Sequence, residues 1–172
     1  MIKIAKTAGF CFGVTRAINL TLETAEKYGK AYTYGPLIHN NDVIAELESK
    51  GISVTDTLDS RFIPVIIRSH GVPKTVYDEI AEKGLTFVDA TCPFVEKIHK
   101  IVAEESAAGA DVIIAGDGNH PEVTGILGHA EKKAKAVNST EELEMLCKTE
   151  NGFGENALIA VAQTTFDMGK WS

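Results

Sequence analysis

Apolar residues recur along this chain in two alternating rhythms: a helical period of about 3.6 residues, and short unbroken runs suited to buried strands. Val14, Ala17, Ile18 and Leu22 share one face of a helix predicted over 14–28, which Gly29 ends. A short strand is expected at 31–34 and a helix at 41–49, stopping before Gly51. The apolar run 63–67 reads as a buried strand leading into Arg68-Ser69-His70-Gly71. A helix at 74–82 and a strand at 86–88 then run into Asp89-Ala90-Thr91-Cys92-Pro93.

From there the pattern restarts. A helix over 94–107 stops near Gly109, and the strand 111–115 opens onto Gly116-Asp117-Gly118-Asn119-His120. A helix around 123–129, a strand at 134–137 and a helix at 139–147 follow, with Ser139 and Glu142 spaced as a capping box. The apolar strand 157–162 leads into Gln163-Thr164-Thr165, and 166–172 reads as the opening of a further helix.

The two halves match. Cys11 and Cys92 each precede a helix, a glycine, a strand and a second glycine four residues before a histidine. The separation is 28 residues in both copies, from 11 to 39 and from 92 to 120. Equal spacing in two successive units predicts a duplicated α/β module. The expected fold class is therefore α/β, built of small repeated modules with parallel sheets around a central site. The boundaries fall at 1–92 and 93–172. Open parallel sheets gather ligands at the carboxyl ends of their strands. Cys11, His39, His70, Cys92, His120 and Thr164 all stand beside such an end or at the start of a helix.

Composition narrows the function. The 172 residues are 44% hydrophobic and 24% charged, with a net charge of −7 and no basic stripe, which argues against nucleic-acid binding. No apolar run approaches the roughly 20 residues that span a bilayer. The N-terminal stretch has neither the apolar core of a secretory signal nor the Arg- and Ser-rich character of a transit peptide, so a cytoplasmic protein is expected.

Three cysteines, Cys11, Cys92 and Cys147, do not make a disulfide framework. The start of a helix favours a thiolate, so Cys11 and Cys92 suit a soft metal. Zinc usually takes closely spaced pairs; one cysteine per module fits a shared iron–sulfur cluster better, with zinc as the competing reading. Cys147, mid-helix after Leu143 and Met145 and without a counterpart in the repeat, is expected in the core. A further cluster cysteine is expected from a third module outside this chain.

His39, His70 and His120 stand in turns at matching strand ends, where imidazole N–H groups and helix-start amides can bind phosphate oxygens. His99 and His129 are expected within helices, with no role in the chemistry. Glu122, two residues after His120, is either a first-turn acid favoured by the helix dipole or a proton relay. Thr164, at the matching strand end of the second module, is its expected hydroxyl partner.

Six ordered motifs carry a resemblance: Gly9-Phe10-Cys11-Phe12-Gly13-Val14-x-Arg16-Ala17-Ile18, Ile38-His39-Asn40, Ser69-His70-Gly71-Val72, Asp89-Ala90-Thr91-Cys92-Pro93, Gly118-Asn119-His120-Pro121-Glu122-Val123 and Gln163-Thr164-Thr165. From Gly9 to the end, the chain resembles the LytB/IspH family of 4-hydroxy-3-methylbut-2-enyl diphosphate reductases. The resemblance implies three α/β modules around a [4Fe-4S] cluster held by three cysteines. It also implies removal of an allylic hydroxyl with electrons from ferredoxin or flavodoxin, yielding isopentenyl and dimethylallyl diphosphate. By motif match, Cys11 and Cys92 are cluster ligands. His39, His70 and His120 bind the diphosphate, Glu122 relays protons and Thr164 assists it. The third module and its cysteine lie outside these residues, so the piece alone is expected to be inactive. The alternatives are a zinc-dependent hydrolase and a non-catalytic two-module binding unit.

Overall fold

The computed structural model describes residues 2–3, 8–148, 153 and 156–171. Met1, residues 4–7 of the N-terminal stretch and Ser172, the end of the last predicted helix, lie outside the described residues.

The chain forms two compact units, Met1–Ser69 with Leu85–Cys92, and His70–Gly84 with Pro93–Ser172. One junction between the units falls between Cys92 and Pro93. Residues 70–84, expected in the first module, belong to the second unit instead. The segment includes α3 (Lys74–Glu82), which joins two strands of the first sheet in sequence. Connectivity alone pointed to the first module; packing assigns the segment to the second.

The first unit contains α1 (Phe12–Tyr28), β1 (Ala31–Tyr34), α2 (Asn41–Ser49), β2 (Ile52–Thr55), β3 (Val65–Ile67) and β4 (Phe87–Asp89). Its sheet has the order β2-β1-β3-β4 with every pair parallel, Thr33 standing between Val54 and Ile66. Val65, Ile66 and Ile67 are fully buried, as the apolar run predicts for a central parallel strand. Each such side chain contributes roughly 1.5–3 kcal/mol on burial. Ala17 and Ala25 of α1 pack with Leu37, Ile38, Leu47, Ile52 and Ile66 in this core. α1 closes on Gly29, whose φ of 75° is open to glycine at little cost.

In the second unit, α3 is joined by α4 (Pro93–Ala107), β5 (Asp111–Ala115), α5 (Pro121–Leu127), β6 (Ala134–Val137), α6 (Thr140–Lys148), β7 (Leu158–Ala162) and α7 (Met168–Trp171). The sheet order is β6-β5-β7, again all parallel. β5 is buried along its whole length, and Val112 and Ile114 meet Val102, Val123 and Ile126 from the helices. The repeat is thus visible in topology. β1 and β5 are central strands, flanked by β2 and β3 in one unit and by β6 and β7 in the other.

Three details depart from the sequence reading. β2 is a strand that pattern analysis passes over. It is a four-residue edge strand with Ser53 and Val54 exposed, too short to show a period. Cys147 is exposed, not in the core, because α6 buries none of its residues. His129 lies just past α5, beyond the helix cap at Gly128. The predicted cap of α6 is present: Ser139 Oγ accepts from Glu142 N–H at 3.2 Å. The Glu142 carboxylate reaches back to Asn138 N–H at 2.7 Å.

Candidate functional site

Cys11 is the N-cap of α1, in extended conformation, and its sulfur makes no capping bond. Two residues on, Gly13 is buried, and a Cβ built there would stand 2.5 Å from Cys92 Sγ. The Cys92 sulfur therefore rests against the first turn of the helix that Cys11 opens, and only glycine leaves room for it. Cys92 in turn immediately precedes α4. Its peptide N–H donates to Ser69 O at 2.9 Å, which ties it to the carboxyl edge of the first sheet.

The turn before Cys92 is held from two sides. Arg16 Nη1, one turn into α1, donates to Thr91 O at 3.1 Å. Asp89 Oδ1 accepts from Thr91 N–H at 2.8 Å. Ser69 also fastens the loop that leads to His39, its N–H and Oγ both donating to Leu37 O, at 3.1 and 2.8 Å. His39 itself is exposed, one residue before Asn40, which caps α2 by accepting from Val43 N–H. At the head of this loop Gly35 has φ 72°, which favours glycine, and a Cβ there would lie 2.7 Å from Arg68 Nη1, so the guanidinium would have to shift. Burial pushes the Arg68 guanidinium below its ordinary pKa, opposed by Tyr34.

In the second unit, β5 delivers His120 to the start of α5. His120 Nδ1 accepts from Glu122 N–H at 3.1 Å, so its ring proton sits on Nε2. Nε2–H is thereby left as the donor. Glu122 is 3% exposed. Thr164 holds both of its oxygens: the peptide N–H donates to Oε1 at 2.6 Å and Oγ1 donates to Oε2 at 2.8 Å. Gln163, beside Thr164, accepts from Asp117 N–H through Oε1 at 3.2 Å and packs against Gly116, fastening the His120 loop. Gln163 thus does in this unit what Ser69 does in the other. The His70 and His120 rings meet edge to face, with centroids 5.6 Å apart.

Within each unit the expected residues are drawn together: the two cysteines at the start of α1, and His70, His120, Glu122 and Thr164 at the start of α5. Two sulfurs at helix starts, one cradled by a glycine, suit a soft metal group such as an iron–sulfur cluster. Imidazole donors beside a buried, doubly held carboxylate suit an anionic substrate that must gain a proton. Sequence reasoning assigned no role to Gly13, Arg16, Ser69 and Gln163. All four lay inside the quoted motifs, and position within them was the available signal.

The model of the LytB protein family matches residues 2–172. A 4-hydroxy-3-methylbut-2-enyl diphosphate reductase of Clostridioides difficile (strain 630) is 47% identical over 148 residues, covering 83% of this chain and 52% of the relative. That of Caldanaerobacter subterraneus subsp. tengcongensis is 44% identical, covering 99% of this chain and 59% of its own length. Among solved structures, one of (E)-4-hydroxy-3-methyl-but-2-enyl diphosphate reductase, described as the terminal enzyme of the non-mevalonate pathway, aligns with a TM-score of 0.79. It is 36% identical over 99% of this chain and 60% of that one. The E-1-hydroxy-2-methyl-but-2-enyl-4-diphosphate reductase from Plasmodium falciparum aligns with a TM-score of 0.84 at 30% identity, over 96% and 52%. The chain thus spans between half and three-fifths of the length of these four relatives, and it belongs to the LytB protein family.

Proposed function

We propose that this chain supplies the first two modules of an iron–sulfur reductase acting on 4-hydroxy-3-methylbut-2-enyl diphosphate. In that reaction the allylic C–O bond breaks. Two electrons from ferredoxin or flavodoxin and two protons are consumed, and the oxygen leaves as water. The products are isopentenyl and dimethylallyl diphosphate. The observation that carries this reading is the buried Glu122 carboxylate, held through both oxygens by Thr164 and two residues from His120. The shared family and the names of the relatives support the substrate.

Cys11 and Cys92 would hold a [4Fe-4S] cluster together with a third thiolate from a third α/β module. Held there, the cluster would supply Lewis acidity and the two electrons that the reaction consumes. His39, His70 and His120 donate N–H groups to the diphosphate; for His120 the donor is Nε2–H. Glu122 carries the proton, and Thr164 fixes which way the carboxylate faces. No helix among the described residues is long and apolar enough to cross a membrane. The reading places the enzyme in the cytoplasm with its electron donor.

The test is full-length protein purified without oxygen. It should be brown, contain iron and sulfide, and reduce the substrate with reduced ferredoxin or flavodoxin. Colourless protein with stoichiometric zinc would overturn the reading in favour of a hydrolase.

A further inference from the structure

The loop carrying His70 is fastened to the far end of α5, the helix whose start carries His120 and Glu122. His129, just past that helix, places Nε2 3.0 Å from Val72 O. A carbonyl oxygen only accepts, so Nε2 of His129 bears the proton and donates. Beside it, Lys74 N–H donates to Gly128 O at 3.2 Å, and a Cβ on Gly128 would overlap the Pro73 ring. One turn earlier, a Cβ on Gly125 would lie 3.5 Å from His70 O.

The His129 ring is itself held. It stacks on the buried ring of His99, centroids 4.1 Å apart and planes 21° apart, with Tyr77 tilted against it at 6.2 Å. Its Nε2–H is thereby aimed. The bond lands two residues from His70, across Gly71, whose φ of 71° makes it the natural hinge of the loop. Val72 is fully buried, and a carbonyl that loses its donor in such surroundings is costly to leave unpaired. The cheapest relief is rotation about Gly71, which carries His70 with it.

We infer that His129, aligned by His99, is a positioning residue for His70. It acts through the Val72 carbonyl and sets where the His70 ring presents itself to a diphosphate. Presentation to a diphosphate rests on the function proposed above; the placement of the ring does not.

Four full-length variants test this: H129F, which keeps the aromatic stack without the donor; H129Q, whose amide nitrogen mimics Nε2; H70N; and the double variant H70N/H129F. Should H129F fail to fold, H129N, whose amide is too short to reach Val72, takes its place. The probe is inorganic pyrophosphate, measured as a competitive ligand. H129F is expected to weaken its binding about fivefold and H129Q by less than about twofold, as for loss and retention of one hydrogen bond. In the H70N background, H129F is expected to add nothing, because both act through one ring. Equal weakening by H129F and H129Q, or an undiminished H129F effect in the H70N background, overturns the inference. If H70N itself leaves pyrophosphate binding intact, the diphosphate role of His70 fails instead. The positional claim then stands or falls on crystal structures of wild type and H129F: a displaced His70 ring supports it, and an unmoved ring overturns it.

Discussion

Thr164 closes on Glu122 through two bonds of different origin, one from its peptide N–H and one from its hydroxyl, so both carboxylate oxygens are committed. The N–H bond survives any substitution at 164 but proline, whereas the hydroxyl bond survives only in serine. Thr164→Val in the full-length enzyme is expected to lower turnover about 10-fold or more, the scale of one hydrogen bond to a charged group. Substrate affinity should hold, and Thr164→Ser should restore the rate. Steady-state kinetics with the three proteins decide the matter, and equal rates for the valine and threonine forms would deny the hydroxyl any part.

Glu122→Gln preserves shape and removes the exchangeable proton. Substrate should still bind, while turnover falls by about 100-fold or more, as for loss of a general acid. Equilibrium binding and single-turnover rates separate the two effects. A glutamine enzyme as fast as wild type would remove Glu122 from the proton path.

A methyl group on Gly13 would stand 2.5 Å from Cys92 Sγ, well inside contact distance. Gly13→Ala should displace that sulfur, lower the iron bound per chain, and destabilise the protein by roughly 1–3 kcal/mol through overpacking. Iron analysis and thermal unfolding read the two outcomes. Full iron content in the variant would show that the sulfur need not rest there.

His39→Asn removes the imidazole one residue before the α2 cap while leaving Asn40 and Val43 bonded. Binding of the diphosphate substrate should weaken by roughly 1.5–3 kcal/mol if one charge-assisted bond is lost. Calorimetric titration measures it, and unaltered affinity would return His39 to an ordinary turn residue.

How far the chain could be read beforehand depends on whether information is local. The repeat was legible because equal Cys-to-His spacing and alternating apolar rhythms survive in one dimension, and the shared strand order bears it out. Thr164 and Glu122 were paired from their matching places at strand end and helix start. β2 was not legible, since four edge residues carry too little pattern. The allegiance of 70–84 was hidden for another reason: a crossover helix follows its sheet in sequence but is free to pack elsewhere. Cys147 was misjudged because leucine and methionine neighbours imply a core that α6 does not enter. His129 looked inert for want of its partner, a backbone carbonyl 57 positions away, which no local motif records.

In both units every strand runs the same way, so each sheet has two unlike rims. One rim carries the sulfurs, imidazoles and carboxylate, where a displacement of an ångström matters. Among the described residues the other carries turns such as Gly29-Lys30 and Gly109-Ala110, with no neighbouring atom within 4 Å of a Cβ placed on either glycine. Engineered attachments such as a surface tether, placed beside these glycines and not on them because φ of 75° and 107° disfavours other residues, can therefore sit at that rim away from the proposed chemistry.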